Sequence, residues 1–301
     1  MIAAPLPPAV RSGDRVGVAA LSGPVDPERL ERGLAALEDL GFEPVPAQNL
    51  GARAGLFAGS TEERLGAFHR LAERQDVRAI FFARGGSGLL SLLPRIDWAL
   101  LARHPRAYVG YSDLTPLLLA IPKRLGFASF HGPMVAADLA RGLTGEERES
   151  LLSNLSGSGC QPIRGNVLRG GRPVVGPLVG GCLSLLTATL GTPWAPDTRR
   201  AVLFLEDVGE PMYRLDRMLT HLRLSGKLAA LRGVVCGHLA PVDEARPDLP
   251  SWATQLLGSL GDFAGPVLTR LPVGHEPPNW TLPLGARVRV DPGAGTLELI
   301  R

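Results

Sequence analysis

Through about residue 134, short apolar or β-branched runs alternate with stretches that repeat apolar residues at helical spacing, the pattern of a parallel α/β sheet. Residues 15–20 read as the first strand, 27–40 as a helix ended by Gly41, and 61–74 as a helix capped by Ser60 or Thr61. The run Ala79-Ile80-Phe81-Phe82-Ala83 reads as a buried strand, with Arg84-Gly85-Gly86-Ser87-Gly88 directly after it. Residues 106–109 make another short strand. Residues 114–121 then read as a helix with Asp113 as its N-cap and Pro116 in its first turn. Residues 128–133 close this half.

From 136 to 171 the pattern gives way to polar sequence rich in Gly and Ser, including Gly157-Ser158-Gly159 and Arg169-Gly170-Gly171-Arg172. It reads as an interdomain connection with some secondary structure of its own. Beyond it, Gly180-Gly181-Cys182-Leu183-Ser184 precedes an apolar helix, strands are expected near 201–205, 233–236, 267–271 and 286–290, and a helix near 213–224. The expected division is an N-terminal α/β domain over 1–136, a connection over 137–172 and an α+β domain over 173–301.

The length of 301 residues exceeds what one core usually supports, in keeping with two domains. Hydrophobic residues at 45% and charged ones at 20% belong to a soluble globular chain. A net charge of +3, with no basic run interleaved with aromatics, gives no argument for nucleic acid. No apolar run approaches the ~20 residues of a membrane span, and the N-terminus lacks the pattern of a secretory signal. Cys160, Cys182 and Cys236 are widely spaced, which suggests neither a disulfide framework nor a zinc site, and a cytoplasmic setting is expected.

The candidate chemistry starts at Gly110-Tyr111-Ser112-Asp113, which places a serine where a buried strand turns into a helix. Such a serine is either a helix-capping residue or a nucleophile on an elbow. A nucleophile needs a base, a group to orient the base, and donors for the oxyanion. Of six histidines, His69 and His221 fall in amphipathic helices and His104 in a polar turn. His131, His238 and His275 all follow strands and are not separable on position. Glu206, at the end of the 201–205 strand, is the best orienting carboxylate, with Asp207 and Glu210 as rivals. Gly85 and Gly86 follow a buried strand, where backbone N–H groups can approach an oxyanion together with that of Asp113. The glycine run matches neither GxGxxG nor GxxxxGK[ST], which weakens a phosphate-binding reading.

Taken in order, Arg84-Gly85-Gly86-Ser87-Gly88, Gly110-Tyr111-Ser112-Asp113, His131-Gly132-Pro133-Met134, Gly180-Gly181-Cys182-Leu183-Ser184, Glu206-Asp207-Val208-Gly209-Glu210 and Gly274-His275 resemble the LD-carboxypeptidases, a serine peptidase family that also contains the microcin C self-immunity peptidases. The resemblance implies an N-terminal domain like the class I glutamine amidotransferases and a smaller C-terminal domain of swivelling type. It implies a triad of Ser112, His275 and Glu206, with Gly86 and Asp113 N–H groups as the oxyanion hole and Arg84 and Ser87 near the substrate. Expected with it are release of terminal D-alanine from murein tetrapeptides in the cytoplasm, no metal or other cofactor, and a homodimer. Cleavage of aminoacyl-adenylate toxins and a non-catalytic ligand-binding role are the alternatives. Ser87 stands where the family often has an aromatic, and Cys182 where it often has asparagine.

Overall fold

The computed structural model describes residues 2–300, which form two compact units. One comprises Pro5–Cys160 with Pro278–Leu284, and the other Gln161–Pro277 with residues 2–4 and 285–300.

In the first unit, strands β1 (Arg15–Ala19), β2 (Glu43–Pro46), β3 (Val77–Phe82), β4 (Ala107–Gly110) and β5 (Ser129–His131) pair in parallel in the order β5-β4-β3-β1-β2. A strand from far along the chain, β12 (Leu282–Leu284), pairs antiparallel with β5 at the edge. Helices α1 (Pro27–Asp39), α2 (Thr61–Glu73), α3 (Leu89–Leu92), α4 (Trp98–Arg103), α5 (Thr115–Leu125) and α6 (Gly145–Ser156) belong to the same unit. Strand β3 from Ala79 onward, and β4, run as unbroken apolar sequence because both faces of the sheet are covered there. Phe68, Phe81, Phe82 and Tyr108 are completely buried in that core. Ser60, not Thr61, caps α2, in a reciprocal pair with Glu63.

The polar stretch after residue 136 is more ordered than its composition suggests. Residues Val135–Leu139 make a single π turn, and α6 starts at a second capping box, Thr144 with Glu147. Glu147 is fully buried. It also accepts the backbone N–H of Asn279 at 2.7 Å and pairs with Arg141 at 2.6 Å, which anchors the segment carrying β12. Burial alone would raise the Glu147 carboxyl, but these N–H donors and Arg141 hold it below its ordinary value.

The second unit is built on a mixed eight-stranded sheet, in the order β6-β14-β13-β8-β9-β10-β11-β7. Its strands are β6 (Ile163–Arg164), β7 (Asn166–Arg169), β8 (Val174–Cys182), β9 (Val202–Glu206), β10 (Gly233–Cys236), β11 (Val267–Thr269), β13 (Arg287–Asp291) and β14 (Thr296–Leu299). Strands β8 to β11 are parallel, while β6, β7, β13 and β14 pair antiparallel at the flanks. Helices α7 (Leu183–Ala188), α8 (Met212–Leu224) and α9 (Trp252–Ser259) complete it. Among the described residues no helix is long and apolar enough to cross a membrane.

Candidate active site

Strand β4 delivers Ser112 to the surface of the first unit. Tyr111 is still extended, Ser112 takes φ 60°, and residues Ser112–Leu114 form a single 3-10 turn that leads into α5. A non-glycine residue in the left-handed region costs about 1 kcal/mol or more, and such strain concentrates at functional sites. Pro116 sits in the first turn of α5 as the sequence suggests, since that turn leaves N–H groups without acceptors anyway. Asp113 does not cap α5 with its side chain, contrary to expectation, because residues 112–114 interpose a turn of their own. Its N–H, in the first turn, has no intrahelical acceptor. Its buried carboxylate turns back instead, and Oδ2 accepts the Ser22 hydroxyl at 2.6 Å and the Leu89 N–H at 3.0 Å.

The glycine loop after β3 lies against the serine. A Cβ on Gly85 would come within 2.8 Å of both Cβ and Oγ of Ser112, so only glycine lets the two backbones approach this closely. Arg84 and Ser87 are exposed on the same loop, and Arg84 Nη1 donates to the Pro24 carbonyl at 3.2 Å. His131 belongs to this unit too. It is fully buried, its ring 5.4 Å from that of Tyr111.

Glu206 and His275 are in the second unit. Glu206 is the last residue of β9 and has no exposed surface, while His275, in the loop after β11, is partly exposed. Its Nδ1 lies 2.6 Å from Glu206 Oε2. Burial pushes the Glu206 carboxyl up from its ordinary value, opposed by hydrogen bonds and charge from His275. The preceding residue makes the approach possible: a Cβ on Gly274 would sit 3.0 Å from Glu206 Oε2 and 3.2 Å from the Cβ of His238. His238 is held by its backbone, with its N–H on the Val273 carbonyl and its carbonyl on the Asp207 N–H. Desolvation keeps its imidazole below the ordinary value.

The rival carboxylates have other partners. Asp207 accepts the Ser184 N–H at 2.7 Å in the first turn of α7 and the Val208 N–H at 2.9 Å. Glu210 pairs with Arg214 at 2.9 Å, one helical turn on. Cys182 stands in register with Glu206 on the neighbouring strand. Burial, then Glu206 and Asp207, hold its thiol well above its ordinary value, so it is a neutral side chain. Sequence reading missed the inward-facing carboxylate of Asp113, whose partner Ser22 is 91 residues away.

Comparison with known proteins matches these two halves. The LD-carboxypeptidase N-terminal domain model covers residues 16–132, and the LD-carboxypeptidase C-terminal domain model covers 175–290. The chain is 35% identical to a probable murein peptide carboxypeptidase of Bacillus subtilis (strain 168), covering 95% of this chain and 91% of that protein. The crystal structure of a muramoyltetrapeptide carboxypeptidase from Oxalobacter formigenes is similar with a TM-score of 0.85 at 30% identity, covering 95% of this chain and 97% of the other. A structure of MccF in complex with glutamyl sulfamoyl guanosine is similar with a TM-score of 0.90 at 25% identity, covering 98% of each chain. With both family domains matched in order, and that identity sustained over nearly the whole length, the chain belongs to the LD-carboxypeptidase family of peptidases.

Proposed function

We propose that the protein is a serine carboxypeptidase that hydrolyses the L,D amide bond of murein tetrapeptides and releases terminal D-alanine. Ser112 Oγ attacks the amide carbonyl and passes its proton to His275 Nε2. The protonated imidazole gives that proton to the departing D-alanine amine as the C–N bond breaks. Water then attacks the Ser112 ester with His275 again as base, which frees the shortened peptide and the serine. Glu206 accepts Nδ1–H, which fixes the ring's tautomer and stabilises the imidazolium. The N–H groups of Gly86 and Asp113 stabilise the oxyanion, and Arg84 and Ser87 contact substrate. The observation that carries this reading is the 2.6 Å contact of His275 with a fully buried Glu206, since a free carboxylate there would be costly without a partner.

In this reading Ser112 comes from an N-terminal domain of class I glutamine amidotransferase type over 1–136. Glu206 and His275 come from a swivelling-type domain over 173–301, with 137–172 as the connection. The enzyme works in the cytoplasm as a homodimer and needs no metal. A second reading, cleavage of aminoacyl sulfamoyl nucleosides and related toxins, draws on the likeness to MccF. The higher identity to a murein peptide carboxypeptidase favours the first.

Incubating the purified chain with murein tetrapeptide and with glutamyl sulfamoyl guanosine, beside Ser112→Ala, separates these. D-alanine release by wild type alone is expected. Turnover of the nucleoside without D-alanine release would move the assignment to the toxin branch, and equal inactivity of both proteins on both substrates would leave only a binding role.

A further inference from the structure

The buried carboxylate of Asp113 ties three separate segments together. Its Oδ2 accepts from Ser22, in the loop after β1, and from Leu89, the first residue of α3 and the end of the glycine loop. Those two loops are also bound to each other, by the Gly23 N–H on the Gly85 carbonyl at 3.1 Å and by Arg84 on Pro24. Beneath them the buried Arg64 donates to the carbonyls of Leu21 at 2.8 Å and Gly88 at 3.4 Å, and its charge attracts that of Asp113. A carboxylate in such surroundings is costly unless its donors stay in place, so the arrangement is stiff.

We infer that Asp113 is a positioning residue as well as a backbone donor: its side chain fixes the distance between the Ser112 elbow and the Gly85–Gly86 loop, and so shapes the oxyanion hole. This rests on the hydrolase reading above. A donor misplaced by a fraction of an ångström weakens binding of the charge that develops in the transition state more than binding of the substrate. The loss therefore falls on kcat.

The test compares wild type, Ser22→Ala, Asp113→Ala, Asp113→Asn and the Ser22→Ala/Asp113→Ala double variant. It reads kcat and KM for D-alanine release, and the rate at which a fluorophosphonate modifies Ser112. In that reaction an O–P bond forms, fluoride leaves, and the serine proton goes to the base. Asp113→Ala is expected to lower kcat by about 10²-fold and Ser22→Ala by about tenfold, with KM within twofold. Phosphonylation should slow in parallel. Asp113→Asn, which keeps an acceptor oxygen, should recover most of the loss, and the double variant should be no worse than Asp113→Ala. The inference is overturned if the losses appear in KM, if the two single losses multiply, or if Asn fares no better than Ala. Should Asp113→Ala fail to fold, unchanged kcat in Ser22→Ala overturns it equally. Wild type that is labelled yet releases no D-alanine refutes the substrate, while the labelling rates still decide the role of Asp113. Wild type that is neither labelled nor active refutes the hydrolase reading, and this inference with it.

Discussion

Ser112 and His275 each depend on a neighbour that has no side chain. Gly85 lets one loop reach the serine, and Gly274 lets another bring the imidazole onto Glu206. The glycines and the serine are visible in the sequence, because an apolar strand followed by a proline-bearing helix marks the corner. The choice among His131, His238 and His275 is not visible, because all three lie at or just beyond the ends of strands. In the fold their surroundings differ: His131 is buried beside Tyr111, while the ring of His275 meets Glu206. The burial of Glu206 gives a pH-dependent expectation. Burial raises the Glu206 carboxyl above its ordinary 4.5, so over the window between the unfolded and folded values the native state holds a proton that the unfolded chain has released. Its contribution is whole below the unfolded value and is lost as the pH rises through the folded one. In Glu206→Gln this loss is gone. Urea unfolding should show the variant gaining on wild type as the pH is raised from about 4 to about 7. D-alanine release should fall by about 10³ to 10⁴-fold, because an amide can leave the imidazole in the wrong tautomer.

Among the elements, the long buried strands and the capped helices were legible, since apolar runs and Ser or Thr caps are local signals. Helix α6 was not, because its residues are mixed and its importance lies in one distant contact. Glu147 closes its own capping box and also receives Asn279, 132 residues later, just before β12. Strand β12 itself is three residues long and leaves no periodicity to read. Removing the carboxylate in Glu147→Ala strands the buried Asn279 N–H and leaves Arg141 with only Asp138 and the Gly142 carbonyl. A loss of about 2–3 kcal/mol in urea unfolding is expected, with kcat little changed at temperatures where the variant remains folded. An unchanged unfolding midpoint would mean that the pairing with β5 and the hydrogen bonds of Ser150 and Asn154 to Thr281 hold the segment without Glu147.

For the whole chain, the two units are interleaved in sequence: the first is completed by Pro278–Leu284, after the chain has already built most of the second. Composition suggested two domains but not this return, because a short apolar strand looks alike wherever it pairs. A fragment of residues 5–160 lacks β12, which leaves the backbone groups of β5 open at the sheet edge and Glu147 without Asn279. On size-exclusion chromatography it is expected to self-associate, and to become monomeric when residues 278–284 are joined to it through a flexible linker. Equal behaviour of the two fragments would show that the edge strand is dispensable. The same return has a consequence for descent. A recombination that exchanged either half with a foreign gene at the obvious boundary would send the last strand of the first sheet away with the wrong parent, so the half that carries Ser112 and the half that carries His275 are expected to pass on together.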